Sequence, residues 1–257
     1  MSRLDIIRID SSGRKNCQDE VSDEIPLTIH LDGKELLTLL CSPDSLKEFS
    51  AGFLYSAGII KSINDIGTIT IDSQKWISHV ELKNKTDTQK LMFKRMYTSG
   101  CGRGVLFYNT LDLLHRRKVN SNLKIHSDKI TELMASFQNS SAAFKQTGGV
   151  HSCALSDGED ILIFKEDIGR HNALDKAIGA ALFKDLDMRK LIILTSGRVS
   201  SEIVLKVSKT RSPFLISRSA PTDQAVKLSG DLNLTLVGFV RGERMNVYTG
   251  QERIIHE

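Results

Sequence analysis

The rhythm of the second half constrains this chain more than any other feature. From Ser127 the spacing predicts a helix to about Lys145, with Ile130, Leu133, Met134 and Phe137 on one face. Strands "GVHSCALS" and "ILIFKED" then flank the turn "DGED". Helix "RHNALDKAIGAALF" follows, with Ala173, Leu174, Ala177, Ile178 and Ala181 along one stripe. The remainder reads as strand "KLIILTSG", helix "SSEIVLKVSK", strand "PFLISRS", helix "TDQAVKLSGD" and strand "LTLVGFVRG". The order is α-β-β-α-β-α-β-α-β. Strands that are apolar without alternation are buried on both faces, and their alternation with helices predicts a mainly parallel sheet covered on both sides.

The first half has a different, strand-rich character, so the chain as a whole reads as α/β (α+β overall). "PLTIHLDGKELLTLLCS" places Asp32-Gly33 between two apolar runs, a hairpin signal. In "SPDSLKEFSAGFLYSAGII" the spacing of Leu46, Phe49, Phe53, Leu54 and Ala57 predicts a helix, with Ser42 as cap, Pro43 in the first turn and Gly58 as the stop. "TITID" and "KWISHVELK" read as further strands. The polar, Asn-containing run "HRRKVNSNLK" suggests a division into 1–120 and 121–257.

Bulk properties exclude several classes. A net charge of +4 is too weak and dispersed to argue for DNA or RNA binding, though it suits an anionic ligand. No apolar run approaches a membrane span, and "MSRLDIIRIDSSGRKNCQDE" is neither a signal peptide nor a lipidation signal, so a cytoplasmic protein is expected. The four cysteines, Cys17, Cys41, Cys101 and Cys153, are scattered without a CxxC pair, which argues against a disulfide framework or a four-cysteine zinc site. His151 and Cys153 share a strand face, and with His171 they could bind a metal; with no second tight pair, a structural role is the simpler reading.

Ligands of parallel α/β sheets bind beyond the C-terminal ends of the strands, at helix N-termini. Three stretches belong there: "EDIGRHNALDK", with Gly169, Arg170, His171 and Asn172; "TSGRVSSEI", with Gly197, Arg198, Ser200 and Ser201; and "SRSAPTDQ", with Ser219, Pro221 and Thr222. Taken singly, their hydroxyls read as helix caps and their glycines as turn residues. Taken together, with two arginines, they equally suit a phosphate or carboxylate. In "VGFVRGERMNVYTG", Arg241 and Arg244 flank Gly242 where an apolar strand stops; the turn is either a solvated hairpin or a phosphate-holding one. "YTSGCGRGVLFYN" sets Cys101 between glycines beside Arg103. Nearby positive charge favours the thiolate, and glycines give a loop reach; the alternative is a glycine-rich turn carrying an unremarkable cysteine.

These motifs, "SGCGRG", "GGVHS", "EDIGRHNALDKAIG", "TSGRVSSEIVLK", "SRSAPTDQAV" and "VGFVRGERMNVYTG", together resemble the formate dehydrogenase accessory sulfurtransferases (FdhD type), from about Pro26 to the end. The resemblance implies that a cysteine desulfurase gives sulfur to Cys101 as a persulfide. The sulfur then passes to the molybdenum cofactor in its bis-molybdopterin guanine dinucleotide form, destined for formate dehydrogenase. It places cofactor binding on Phe239, Val240, Arg241, Gly242, Glu243 and Arg244. The helix starts add His171, Arg198 and Ser219 to that expected set. The resemblance further implies a cytidine-deaminase-like three-layer α/β/α second half. Here "RHN" and "SGRVSSE" stand where the deaminases keep zinc ligands, so no zinc is expected. A homodimer is compatible with this reading. Many relatives carry C-x-x-C in the loop, whereas Gly104 follows here, which leaves a one-cysteine relay. The rival functions are a non-catalytic cofactor chaperone and a metal-dependent nucleotide hydrolase.

Overall fold

Two hairpins open the chain, and different forces hold them. In the computed structural model, which describes residues 1–84, the strands Lys94–Tyr97 and Val105–Tyr108, and residues 118–256, β1 (Ser2–Asp10) pairs with β2 (Gly13–Val21). Ion pairs Arg3–Glu20 at 3.1 Å, Arg8–Asp19 at 3.6 Å and Lys15–Asp10 at 3.2 Å cross this exposed ribbon, which the sequence reading did not anticipate. β3 (Ile25–Leu31) and β4 (Lys34–Cys41) form the predicted second hairpin. Asp32 (φ 50°) and Gly33 (φ 80°) both take the left-handed conformation that a tight two-residue hairpin turn demands.

Helix α1 (Leu46–Ser56) follows, then β5 (Ile66–Asp72) and β6 (Ile77–Leu82), which complete a four-stranded sheet in the order β4-β3-β6-β5. The α1 start differs from the prediction: Ser45 precedes the helix, and Ser42 and Pro43 lie outside it. Ser42 is engaged elsewhere, its N–H donating to Asp167 and its hydroxyl accepting from the Ile168 N–H. Leu27, Ile29, Leu31, Phe49 and Leu54 form the core of this unit. The short strands β7 (Lys94–Tyr97) and β8 (Val105–Tyr108) pair with each other.

Next come β9 (Ile125–His126), α2 (Ser127–Asn139) and α3 (Ala142–Thr147). The single helix expected to about Lys145 is therefore two. The break falls at Ser140–Ser141, where the Ser141 hydroxyl turns away to donate to Glu166. The second half continues with β10 (His151–Ser156), β11 (Ile161–Asp167), α4 (Arg170–Phe183), β12 (Ile192–Thr195), α5 (Ser201–Thr210), β13 (Phe214–Ser217), α6 (Asp223–Asp231), β14 (Thr235–Arg241), β15 (Arg244–Thr249) and β16 (Ile254–Ile255).

Six of these strands form one sheet in the order β11-β10-β12-β13-β14-β15. Only β12–β13 and β13–β14 pair in parallel; β10–β11, β10–β12 and β14–β15 are antiparallel. The expectation of a mainly parallel sheet is corrected to a mixed one, because tight hairpins at both flanks reverse the chain. The apolar runs do bury both faces. Leu155, Ile193, Leu215 and Leu236 pack beneath α4, α5 and α6, while Ala154, Leu194, Ile216 and Val237 pack against α2. The result is an α/β/α layering.

Two glycines join the two halves. A Cβ on Gly52 of α1 would stand 1.8 Å from the Asp175 carbonyl oxygen, and one on Gly179 of α4 would stand 1.8 Å from that of Glu48. Only hydrogen fits at this helix crossing. Around it, Ser56 donates to Asp175 at 2.7 Å, and Lys206 of α5 pairs with the same carboxylate.

Candidate functional site

The C-terminal ends of β12, β13 and β14, the start of β10 and the end of β11 lie at one edge of the six-stranded sheet. The loops there are laced by backbone hydrogen bonds. Val199 donates to Ala220 at 3.0 Å, Thr222 to Val199 at 2.9 Å, Arg218 to Thr195 at 3.1 Å and Phe239 to Ser219 at 3.1 Å. The helix starts at Ser200 and Thr222 and the strand leading to the basic turn are thus held together, and the start of α4 joins them through His171, 3.1 Å from Glu202.

Thr222 caps α6, its hydroxyl accepting from the Ala225 N–H at 3.2 Å. Ser200 precedes α5 but does not cap it. Its hydroxyl oxygen is buried and lacks a hydrogen-bond partner among the described residues, and the same holds for His171 Nε2 and Glu202 Oε2. The latter two atoms stand 3.1 Å apart, close enough for an ion pair but without hydrogen-bond alignment. Gly197 must be small, since a Cβ there would meet Arg170 Cβ at 2.9 Å and His151 Nδ1 at 3.4 Å. His151 Nδ1 lies 3.3 Å from the Ser196 hydroxyl, which also accepts from the Ser152 N–H at 3.0 Å. Burial first, then the charges of Arg170, His171 and Arg198, hold His151 below the usual histidine range; Asp167 opposes them.

The same motif contributes a buried latch. Asp167 and Lys176 are fully enclosed and 2.8 Å apart. Asp167 also accepts from the N–H groups of Ser42 (3.0 Å) and Gly169 (2.9 Å) and from the Asn172 amide (2.8 Å). Lys176 reaches the carbonyls of Ser42 and Glu166 and the carboxylate of Asp44. Every obvious partner is present, as a buried pair requires. In "EDIGRHNALDK", therefore, Asp167, Asn172, Asp175 and Lys176 hold the helix in place, and Arg170 and His171 stand at the sheet edge.

At the basic turn, Arg241 pairs with Arg244 around Gly242 (φ 56°), and Arg241 through Arg244 are exposed. A bulge between Gly238 and Arg241 puts Phe239 at φ 54°, uncommon for a side chain of that size. Its ring lies under the Arg241 guanidinium at 5.6 Å, whose Nε donates to the Arg218 carbonyl at 3.4 Å. Val240 buries its side chain in the α2-facing core, so a ligand could meet only its backbone. Arg198 and Arg218 are exposed at the same edge. Sequence reading passed over Arg218, Ser196 and Glu202; each sits inside a motif it quoted, but only the folded edge singles them out. A cavity of about 610 Å³ lined by Tyr55, Lys61, Arg189 and Arg211 lies at the opposite ends of α4 and α5, away from these groups.

Cys101 lies outside the described residues. Cys41 and Cys153 are wholly buried; burial drives the Cys41 thiol up to about 12, with Asp167 adding to the shift, and raises Cys153 as well. The ligand set of His151, Cys153 and His171 is not formed: among the described residues no three His, Cys, Asp or Glu side chains are placed to hold a metal ion. No helix among them is long and apolar enough to cross a membrane.

The FdhD/NarQ family model matches residues 22–255. The chain belongs to the FdhD/NarQ family. The sulfur carrier protein FdhD of Bacillus pumilus (strain SAFR-032) is 43% identical over 244 residues, covering 94% of this chain and 93% of that protein. That of Bacillus subtilis (strain 168) is 40% identical over 251 residues, covering 97% and 96%. A crystal structure described as a formate dehydrogenase accessory protein, from Desulfotalea psychrophila, superposes with a TM-score of 0.79 at 27% identity over 99% of both chains. The FdhD/NarQ match thus includes the whole candidate edge.

Proposed function

We propose that this chain is a sulfur carrier that takes persulfide sulfur from a cysteine desulfurase and passes it to the bis-molybdopterin guanine dinucleotide form of the molybdenum cofactor, for use by formate dehydrogenase. The observation that carries the reading is the convergence, at one sheet edge, of Arg198, Arg218, Arg241, Arg244, His171 and the Ser219 loop, in a chain of the FdhD/NarQ family. Guanidinium groups beside helix starts suit a nucleotide's phosphates, with bidentate geometry available to each arginine.

Cys101 is the carrier in this reading. Its thiolate attacks the outer sulfur of the donor persulfide, one S–S bond forms on Cys101, the donor S–S bond breaks and the donor cysteine leaves as thiolate. Handing that sulfur on as sulfide takes two electrons, which a reduced metal centre in the cargo can supply, and Cys101 returns as thiolate. The cofactor is cargo, and the arginine edge holds its nucleotide part while sulfur is delivered.

Incubation with a cysteine desulfurase and free cysteine, followed by mass spectrometry, tests this. One additional sulfur atom on the Cys101 peptide, absent from Cys101→Ala, is the expected result. Cells carrying only Cys101→Ala should lack active formate dehydrogenase. Binding of the cofactor without any sulfur adduct would instead identify a passive chaperone.

A further inference from the structure

The contact between α4 and α5 at the sheet edge is chemically incomplete. His171 Nε2 and Glu202 Oε2 are buried and 3.1 Å apart, without hydrogen-bond alignment, and neither has a hydrogen-bond partner among the described residues. Two lone pairs facing each other at that distance would repel, so a proton on Nε2 is the arrangement that suits the contact. Imidazole carries its two nitrogens at separate corners, and in the neutral ring only one bears hydrogen. Commitment of Nε2 to Glu202 leaves Nδ1 with the lone pair. The titratable groups beside the ring are Glu202 at the start of α5, 3.1 Å away, and His151 on β10, whose titration the His171 charge perturbs. The edge already has cations in its arginines.

We propose that Glu202 is a positioning residue that fixes the His171 tautomer, so that Nδ1 meets the bound ligand as a hydrogen-bond acceptor. His171 then serves as an acceptor among the arginines, matched to a donor N–H or O–H of the nucleotide rather than to its phosphates. This rests on the nucleotide-binding reading above, and its first test does not.

That first test is ¹⁵N NMR of the imidazole nitrogens in the free protein, with the His171 signals identified by their loss in His171→Asn. Nδ1 should be the unprotonated nitrogen in the neutral ring. Glu202→Gln, which keeps a carbonyl acceptor, should preserve that state, and Glu202→Ala should lose it. A proton on Nδ1 in the unaltered protein, or an unchanged tautomer in Glu202→Ala, overturns the proposal. The second test is calorimetry with GDP at one fixed pH. His171→Asn keeps an acceptor near the Nδ1 position and should match the unaltered protein, whereas His171→Ala should bind roughly fivefold more weakly, a loss of one ordinary hydrogen bond. Full affinity in His171→Ala, or loss of affinity in His171→Asn equal to that in His171→Ala, would overturn the acceptor role. Failure of every protein to bind GDP would sink the nucleotide reading and still leave the NMR result to decide the tautomer.

Discussion

Helix α4 faces two environments, and they treat charge in opposite ways. Toward the N-terminal unit, Asp167, Lys176, Asp175 and Lys206 are buried, and each carboxylate meets its lysine together with further hydrogen-bond donors. At the sheet edge, His171, Glu202 and Ser200 bury polar atoms that have no such provision among the described residues. Both regions draw on the same short motif. A saturated charge network fixes position, because any change leaves a bare charge behind. An unsaturated one is costly to keep unless something else completes it. The contrast separates framework from function within one stretch of sequence.

The largest effect expected from breaking the contrast is at the latch. Lys176→Ala strands the Asp167 carboxylate and should cost about 3–5 kcal/mol in denaturant unfolding. A smaller loss, with the nucleotide site abolished instead, would reverse the assignment of the two regions. Gly52→Ala should come next. It forces the α1–α4 crossing apart, at about 1–3 kcal/mol or more, and leaves nucleotide affinity per folded molecule unchanged.

A pH effect of intermediate size comes from Cys41. Its thiol moves from the ordinary 9.0 up to about 12 on folding. The unfolded chain therefore releases this proton at lower pH than the folded one. The contribution is fully present below about 9 and is lost as pH rises toward about 12. Cys41→Ser should flatten that alkaline decline in unfolding midpoint; an unchanged decline would mean the site opens to solvent. The smallest stability effect belongs to the exposed turn. Arg244→Ala should leave the unfolding midpoint where it is and weaken GDP binding, with Arg244→Lys recovering only part, since Lys lacks the two-pronged geometry. Equal affinities for all three proteins would remove Arg244 from the site.

Periodicity reveals elements better than it reveals direction. The span Arg170–Phe183 follows from its stripe of Ala173, Leu174, Ala177, Ile178 and Ala181, and Ile161–Asp167 from its apolar run and preceding turn. An apolar run looks the same whichever way its neighbour points, so the sign that β10 and β15 run antiparallel lay only in the short turns beside them, "DGED" and the turn at Gly242. The ribbon β1–β2 was hidden because its alternating charges read as solvated chain; cross-strand pairing gives them partners. Within the site, glycines and arginines at helix starts stood out because turns and anions need them. Glu202 did not, since an acidic residue in a first helical turn already suits the helix dipole. Its counterpart, His171, lies on another helix. Lys176 likewise passes for the polar face of an amphipathic helix until Asp167 folds over it.

The glycine crossing also sets a clock for folding. Helix α1 lies early in the chain, and its docking surface includes Asp175, which Ser56 contacts across a separation of 119 residues. A ribosome adding ~5–20 residues per second needs roughly 6–24 s to synthesise that interval. Throughout it, α1 can settle on its own sheet, but the face bearing Gly52 has nothing to meet. The N-terminal unit thus cannot bury the Gly52 face until the later chain is made. When α4 arrives, docking closes a loop of nearly half the molecule in a single step, so slow, late consolidation is built into the order in which the two glycines are made.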